Sequence, residues 1–424
     1  MAPDSSKLLR VYRKIKIVLN RWMDDIIRLC NVFLHKTEKI QSAGLRYFLQ
    51  RSALWVGNFA LLQRQLPRSD AFELTGPLGK VVLVGQESSI PSFTKNMFGT
   101  SEMRVEHIGR YSLWSLPAQT DQWFSEGAQM VAVSVSPLYR KKFHSAYILE
   151  VPYLIRQVMP IQEPLDSILA SSKFRNIRKN LNKTLRLGIE SKFSREKDDF
   201  DLFYHRMYLP YTADRHGDWA LFNRYEDLWN YFSAGGLLMF YLGSEPVAGS
   251  LVMTRGNAGF GIVGGVLDGN QDLLRSGIYT MIVWETAKWS KSQGMTYLDL
   301  GTSNPLRSDG VFYFKKSFGA KVERCYNRNG VNQIFIHSDW TILMDAPSLE
   351  FIKCINDTGL IVEKNSKFYG AVLDGGDQEN TTETWADELK HASEDGLSGL
   401  ALFKPHQVVC LDAFDEANIS DERK

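Results

Sequence analysis

The sequence predicts an α/β fold of the α+β kind, with a central mixed sheet flanked by helices. Three observations carry that expectation. Between residues 237 and 266 three apolar runs, "LLMFYL", "PVAGSLVMT" and "NAGFGIVGGV", are separated by turn sequences at "GSEP" and "RGNA", the pattern of an antiparallel meander. Directly after it, "SGIYTMIVWETAKWSKSQG" (276–294) has a helical apolar period, with Ser276 placed to cap its start and Gly294 to stop it. A strand, "MTYLDLGTS", follows. The 424 residues, 44% hydrophobic and 23% charged, suit two or three ordinary globular domains.

The elements divide into four regions. Residues 1–68 read as basic amphipathic helices: Leu8, Val11, Ile15, Val18, Leu19, Trp22, Ile26, Leu29 and Phe33 recur at spacings of three and four. This face either packs on the body of the protein or lies on an anionic membrane. Residues 69–164 read as α/β, with strands expected at "GKVVLVG" (79–85), "AQMVAVSVSP" (128–137) and "AYILEVP" (146–152). The first resembles a nucleotide-fold strand, but "QESSIP" follows in place of a GxGxxG turn, which excludes a dinucleotide site there. Residues 165–340 hold a helix from "PLDSILA", the basic helix "SSKFRNIRKNLNKTLRLGI" (171–189), the meander, and a last strand at "NQIFIH" (332–337). Residues 341–424 form a small α/β unit with an acidic tail, and its "ELKHASEDGLSGLALFKP" echoes "TDQWFSEGAQMVAVSVSP" near 120–137.

Charge is uneven. Residues 1–68 hold thirteen Lys/Arg against four Asp/Glu, whereas 374–424 hold four against thirteen, so an anionic partner is expected at one end only. The four cysteines show no CxxC spacing, which points to a reducing compartment. No apolar run is long enough for a spanning helix, and no leader is evident, so the expected location is cytoplasmic, peripheral on the inner membrane face. The eight histidines form no ligand spacing and no metal is expected.

The order helix, loop, meander, helix, strand, loop, aromatic-Lys segment resembles the GNAT superfamily of acyltransferases, and within it the FemAB-type and CelD-like members. "FRNIRKNLNKTLRLG", "SGIYTMIVWETAKWSKSQGMTYLDLGTS" and "GVFYFKKSFGA" carry the resemblance, over roughly 165–337. It implies a GNAT-like lobe, with 69–164 as a degenerate first lobe of a tandem. It also implies acyl transfer to an amine. One departure stands out: where such proteins usually carry an Arg/Gln-x-x-Gly-x-Gly/Ala loop, this chain reads "DLLRSGIYT", with one glycine.

N-acyl transfer needs a donor held by a phosphate-rich handle, an uncharged amine, a cation or hydrogen-bond donor beside the developing oxyanion, and little water. Arg275, Ser276 and Gly277, at an expected helix start, are candidates for the donor phosphates; an ordinary capped helix is the plainer reading. In FemAB-type proteins the lysine that follows the aromatics of the "FYFKK" segment contacts the acyl carbonyl or donor, which by resemblance is Lys315, with Phe314 and Phe318 as packing. The other reading makes Lys315 and Lys316 surface lysines over an aromatic core. His216, in a loop expected at "YLPYTADRHGDW", has the pKa for a general base, Asp299 at a strand end could orient the acceptor, and Tyr313 or Tyr279 could protonate a leaving thiolate. Tyr211 and Arg215 in the same loop, with Ser303, Asn304 and Arg307 after the strand end, are candidate acceptor contacts.

The expected reaction moves an acyl group from a thioester donor, acyl-CoA or acyl carrier protein, to the amine of an envelope, polysaccharide or lipid acceptor. Basic surfaces at 7–64 and 173–197 suggest an anionic membrane beside the acceptor. Two alternatives stay open. One is an inactive GNAT-like scaffold. The other is a FemAB-type enzyme using aminoacyl-tRNA, ranked lowest because no RNA-binding signature is visible.

Overall fold

The computed structural model describes residues 69–85, 103–135, 139–161, 164–171, 174–217, 222–325, 339–365, 367–374 and 382–412, with isolated positions before residue 99. The helices expected over 7–66, apart from such isolated positions, and the strand expected at 332–337 lie outside the described residues.

In chain order the first elements are β1 (Ser69–Gly76), β2 (Gly79–Gly85), β3 (Arg104–Tyr111), α1 (Leu116–Ser125), β4 (Ala128–Ser134), β5 (Tyr147–Val151) and β6 (Ile155–Pro160). Next come α2 (Leu165–Ala170), α3 (Arg175–Arg186), β7 (Ile189–Ser194), α4 (Lys197–Leu202), a π-helical segment (Phe203–Tyr208), α5 (Leu209–His216) and α6 (Tyr225–Ala234). The meander is β8 (Gly236–Leu242), β9 (Glu245–Arg255) and β10 (Ala258–Val266). It is followed by α7 (Gln271–Ser276), α8 (Ile278–Ser292), β11 (Tyr297–Ser303), α9 (Gly310–Lys316) and β12 (Lys321–Arg324). The chain then adds β13 (Trp340–Met344), α10 (Leu349–Thr358), β14 (Ile361–Lys364), β15 (Lys367–Leu373), α11 (Thr382–Glu394), β16 (Gly399–Lys404) and β17 (Gln407–Asp412).

These strands make three mixed sheets flanked by helices, in the orders β3-β1-β2-β4-β13-β5, β12-β6-β11-β10-β9-β8-β7 and β14-β15-β16-β17. Two strands join sheets away from their neighbours in sequence. β6 enters the second sheet between β11 and β12, and β13 enters the first between β4 and β5. The divisions drawn at 164/165 and 340/341 are therefore crossed by sheet pairing.

Each sheet contains the same small unit: an antiparallel hairpin, a helix, then a strand parallel to the second hairpin strand. The units are β1-β2-α1-β4, β9-β10-α8-β11 and β14-β15-α11-β16. The first and last parallel pairs stay joined along their length, from Lys80↔Ala128 to Val84↔Val133 and from Tyr369↔Gly399 to Leu373↔Phe403. The middle pair does not. β10 and β11 pair only at Ala258↔Tyr297, Gly259↔Leu298 and Phe260↔Asp299. Beyond that point β10 keeps pairing with β9 as far as Val266, and β11 with β6 as far as Ser303. Bulges lie at Gly261/Val263 in β10 and at Asp299/Thr302 in β11, and bulges bend strands. The second sheet therefore parts between β10 and β11.

Helices cover this sheet on both faces, which is why β8 reads as a continuous apolar run rather than an alternation. One core gathers Phe174, Ile177, Leu181, Ile278, Ile282 and Trp284 over Leu298 and Phe240. The other gathers Phe200, Phe203, Met207, Leu228 and Phe232 over Leu237, Met239 and Leu251. Two adjacent glycines show the two sides at the cleft. A Cβ on Gly264 would meet the Tyr279 ring of α8, whereas one on Gly265 would lie 2.5 Å from the Met207 backbone of the π segment.

The stretch from 197 to 216 differs from the helix-then-loop expectation, because Tyr211–His216 are helical. Pro210 reads as a breaker in the sequence. The helix runs on through it: the π turn lies directly before, with the Leu209 N–H reaching back to the Tyr204 carbonyl, and this local widening accommodates the proline's missing N–H.

Candidate active site

The parting of β10 and β11 opens toward the start of α8, and the side chains around it come from five elements. On the β11 side Lys315, in the last turn of α9, is buried and donates from Nζ to the Thr302 carbonyl at 2.6 Å. Thr302 lies three residues beyond the last β11 position paired with β10. The lysine also approaches Gly301: a Cβ there would lie 3.8 Å from Nζ. Gly301 has a φ of 78°, a left-handed conformation that suits glycine at this bulge. Burial lowers the Lys315 pKa to about 8, opposed by the charges of Asp299, Asp309 and Cys325.

α9 is positioned from several directions. Asp309 caps it, accepting from the Phe312 N–H at 2.8 Å, and Asn304 donates to the other Asp309 oxygen at 3.0 Å. The Gln157 amide of β6 donates to the Phe312 carbonyl at 3.2 Å, and Ser303 donates to Gln157 Oε1 at 2.6 Å. On β11, Asp299 accepts from Arg156 Nε at 2.9 Å and from the Gly301 N–H at 2.8 Å. The Arg156–Asp299 pair is buried and holds the bulge that carries Gly301 and Thr302.

On the β10 side stands an aromatic stack. Tyr279 of α8 and Tyr211 of α5 lie 5.6 Å apart at 23°, and Phe314 of α9 meets Tyr279 edge-on at 5.9 Å. A Cβ on Gly264 would come within 3.3 Å of the Tyr279 hydroxyl. Arg215 Nη1 donates to the Tyr211 hydroxyl at 3.1 Å. Burial raises the pKa of both phenols, so they stay protonated through the neutral range.

The arrangement therefore places a buried lysine, two protonated phenols and a glycine-lined gap in one region. It is a setting in which charge developing on a bound carbonyl meets a cation.

Several residues singled out in the sequence stand elsewhere. Tyr313 is 58% exposed on the outer side of α9 with the Lys316 ammonium 5.4 Å from its ring centre, turned from Lys315 by the helical period. His216 ends α5, and its side chain lies outside the described residues. Asp299 is occupied by Arg156 and the bulge rather than directed at an acceptor.

The turn at 275–277 also departs from expectation. Ser276 ends α7 and its hydroxyl donates back to the Leu273 carbonyl at 2.6 Å, so it does not cap α8. The cap in this region is Asn270, which accepts from the N–H groups of Asp272 and Leu273. Gly277, with φ 94°, permits close approach of α3: a Cβ would lie 3.0 Å from Asn180 Cβ. Lys183 and Thr184 donate to the carbonyls of Arg275 and Ser276 at 2.6 and 3.2 Å. Arg275 is exposed and pairs with Asp272 at 3.0 Å.

Of the loop after β11, Ser303 and Asn304 are held inside the α9 network described above. Arg307 reaches the C-terminal unit, donating to buried Asp395 at 2.5 Å and Glu388 at 3.4 Å. Three of the expected acceptor contacts thus support α9. Sequence reasoning missed Arg156 and Gln157 entirely, because β6 reaches the site only by joining a distant sheet; their polar character inside "YLIRQVMP" was the one available signal.

Residues 171–316 match a family model described as an acetyltransferase (GNAT) domain. That segment runs from just before α3 to the end of α9 and contains every element of the cleft except β6. It carries a GNAT-like transferase domain. Among solved structures, the chain is similar to FemX at 13% identity and a TM-score of 0.33, over 55% of this chain and 76% of that one. It is also similar to the C-terminal domain of a putative lysylphosphatidylglycerol synthetase from Agrobacterium fabrum, at 12% identity and 0.32 over 67% and 86%. A third is L-PGS from Bacillus licheniformis, at 12% and 0.32 over 70% and 87%. Likenesses this distant assign no residue. No curated protein matches the sequence. Among the described residues, no helix is long and apolar enough to cross a membrane, and no group of His, Cys, Asp and Glu has the makings of a metal site.

Proposed function

We propose that the protein is an N-acyltransferase of the FemAB-like or CelD-like kind, moving an acyl group from a thioester donor to the amine of an envelope, polysaccharide or lipid acceptor. The observation that carries this reading is the parting of β10 from β11 with Lys315 at its edge. A parted parallel pair leaves N–H and C=O groups of both strands without a ladder partner, and an extended amide-bearing donor satisfies such groups while holding its thioester in the gap. Acyl-CoA and an acylated carrier protein share that extended arm.

The amine nitrogen attacks the thioester carbonyl, forming a C–N bond as the C–O π pair moves to oxygen. The Lys315 ammonium, fixed by the Thr302 carbonyl, stands where that oxyanion develops. Collapse breaks the C–S bond. The thiolate takes a proton from the Tyr279 hydroxyl, and Tyr279 recovers one from the nitrogen that has become the amide. Its high pKa makes the recovered proton tightly held. Tyr211 stacks on Tyr279 and fixes its ring.

The test is thiol release from acyl-CoA donors of graded chain length, with and without an added amine panel. Release that needs the amine and falls at least a hundred-fold in Lys315→Met, on the order of one lost oxyanion donor, supports the reading. Release indifferent to Lys315→Met, or none with any acyl-CoA or acylated carrier protein, overturns it.

A further inference from the structure

The corner between α3 and β7 is a surface the transfer chemistry does not use. Arg175, Lys179, Asn182 and Arg186 are exposed and recur at spacings of four, three and four. They share the stripe opposite Ile177, Leu181 and Thr184, which are buried. Between residues 171 and 189 the sequence has no Asp or Glu. At the C-terminal end of the same helix the surface turns apolar. Leu185 is 57% exposed and Leu187 47%, and Leu242, 42% exposed, pairs with Ile189 two residues further on. A single exposed leucine is ordinary. Three around one turn, beside a row of cations that lacks any carboxylate, are not what a merely solvated helix presents. The neighbouring carboxylates, Glu190 and Glu245, belong to the strands.

Location adds to composition. Asn180, Lys183 and Thr184 of α3 hold the turn at 275–277, at the start of α8. β10 and β11 part toward that end of α8. The charged stripe and the open end of the cleft are thus neighbours on one side of the second sheet.

We propose that the α3–β7 corner is a docking surface for an anionic lipid bilayer. The Arg175, Lys179 and Arg186 cations meet the headgroup phosphates, and Leu185, Leu187 and Leu242 enter the interface. Charge complementarity selects the anionic surface, and the exposed leucines favour a bilayer over a nucleic acid, whose backbone offers them nothing to enter. The docking stands on α3 and the leucines alone. That it turns the cleft toward acceptors lying in the membrane rests on the transferase reading above.

The test uses the full chain and sedimentation with vesicles of phosphatidylglycerol and phosphatidylcholine, against phosphatidylcholine alone, over a salt series. The expected result is binding to the anionic vesicles that weakens as salt rises. It should fall about a hundred-fold in Arg175→Glu/Lys179→Glu/Arg186→Glu and about ten-fold in Leu185→Ser/Leu187→Ser/Leu242→Ser. Thermal unfolding reports whether the variants fold. Should the leucine variant fail there, a polarity-sensitive dye on Leu187→Cys, compared with the identically treated parent, reads insertion directly by a blue shift on anionic vesicles. No vesicle binding, salt-insensitive binding, binding unchanged in the charge variant, or a dye that stays in water overturns the proposal. Transfer to a soluble amine should be unaltered in these variants, so a failed docking surface and a failed transferase reading give different results.

Discussion

Lys315 donates to the Thr302 carbonyl at 2.6 Å, while Lys316, the next residue, reaches buried Asp395 in the C-terminal unit. Two adjacent lysines in an aromatic helix thus hold opposite duties. One closes the edge of the parted strands, and the other, with Arg307, ties α9 to the end of α11 through a single carboxylate. The pair accounts for the otherwise odd sequence "FYFKKSF", and it gives separable consequences for activity and stability.

Replacing Lys315 should cost activity but little stability. The burial that lowers its pKa means the charge is held at a cost in the folded state. Lys315→Met keeps the aliphatic stem and removes the buried charge, a gain offset by loss of the hydrogen bond to the Thr302 carbonyl, about 1 kcal/mol, so the net change in stability should be small. Turnover should fall at least a hundred-fold. Thermal unfolding and steady-state kinetics on one preparation check both halves.

Lys316 and Asp395 should behave in the reverse manner. Asp395→Ala leaves Lys316 and Arg307 facing each other without their shared carboxylate, at a cost of about 3 kcal/mol. Urea denaturation should show that loss, while kcat at a temperature where the variant is folded stays within about two-fold of the parent.

The pH dependence follows from the sign of the Lys315 shift. Its folded-state pKa, about 8, lies below the ordinary 10.5 of the unfolded chain. Below pH 8 both states hold the proton and the folded state bears a buried charge. Between about 8 and 10.5 only the unfolded chain still holds it, so this residue makes stability rise with pH across that window. Activity should move the other way. The ammonium is needed, so kcat should fall as one proton is lost above about pH 8, and Lys315→Arg should move that limb upward. A pH–rate profile paired with unfolding at pH 7, 8 and 10 checks both directions.

Gly264 and Gly265 separate the cleft from the core in two adjacent residues. Gly264→Ala puts a methyl 3.3 Å from the Tyr279 hydroxyl, so turnover should drop with stability kept. Gly265→Ala puts one 2.5 Å from the Met207 backbone, which has no room to move, and should destabilise by about 1–3 kcal/mol. Parallel kinetics and denaturation of the two variants read the contrast.

What the sequence made legible was local. The meander, the helix after it and the basic helix before it announce themselves within windows of about twenty residues, through turn residues and apolar period; the structure has the strands within a residue and both helices shorter, at 278–292 and 175–186. Lys315 could be singled out because a charge inside an aromatic run stands out in the sequence itself. Sheet membership was not legible: β6 finds β11 across 137 residues (Pro160 to Tyr297), and no local pattern encodes such a partner. Arg307 lies in the loop after β11 as the sequence indicates, but its partner Asp395 is 88 positions away and was not legible. The parting of β10 and β11 is a property of pairing, and a parted strand keeps the same residues as a joined one. The bulges leave only a faint trace, glycines at 261, 264, 265 and 301.

The central claim, that the donor lies between β10 and β11, is tested most directly by amide hydrogen exchange. A non-hydrolysable thioether analogue of an acyl-CoA is added, and exchange is followed for residues 261–266 and 300–303. The account predicts protection in both segments, with little change in the joined pairs β2–β4 and β15–β16. Saturating analogue that binds yet leaves both segments exchanging as before would contradict it.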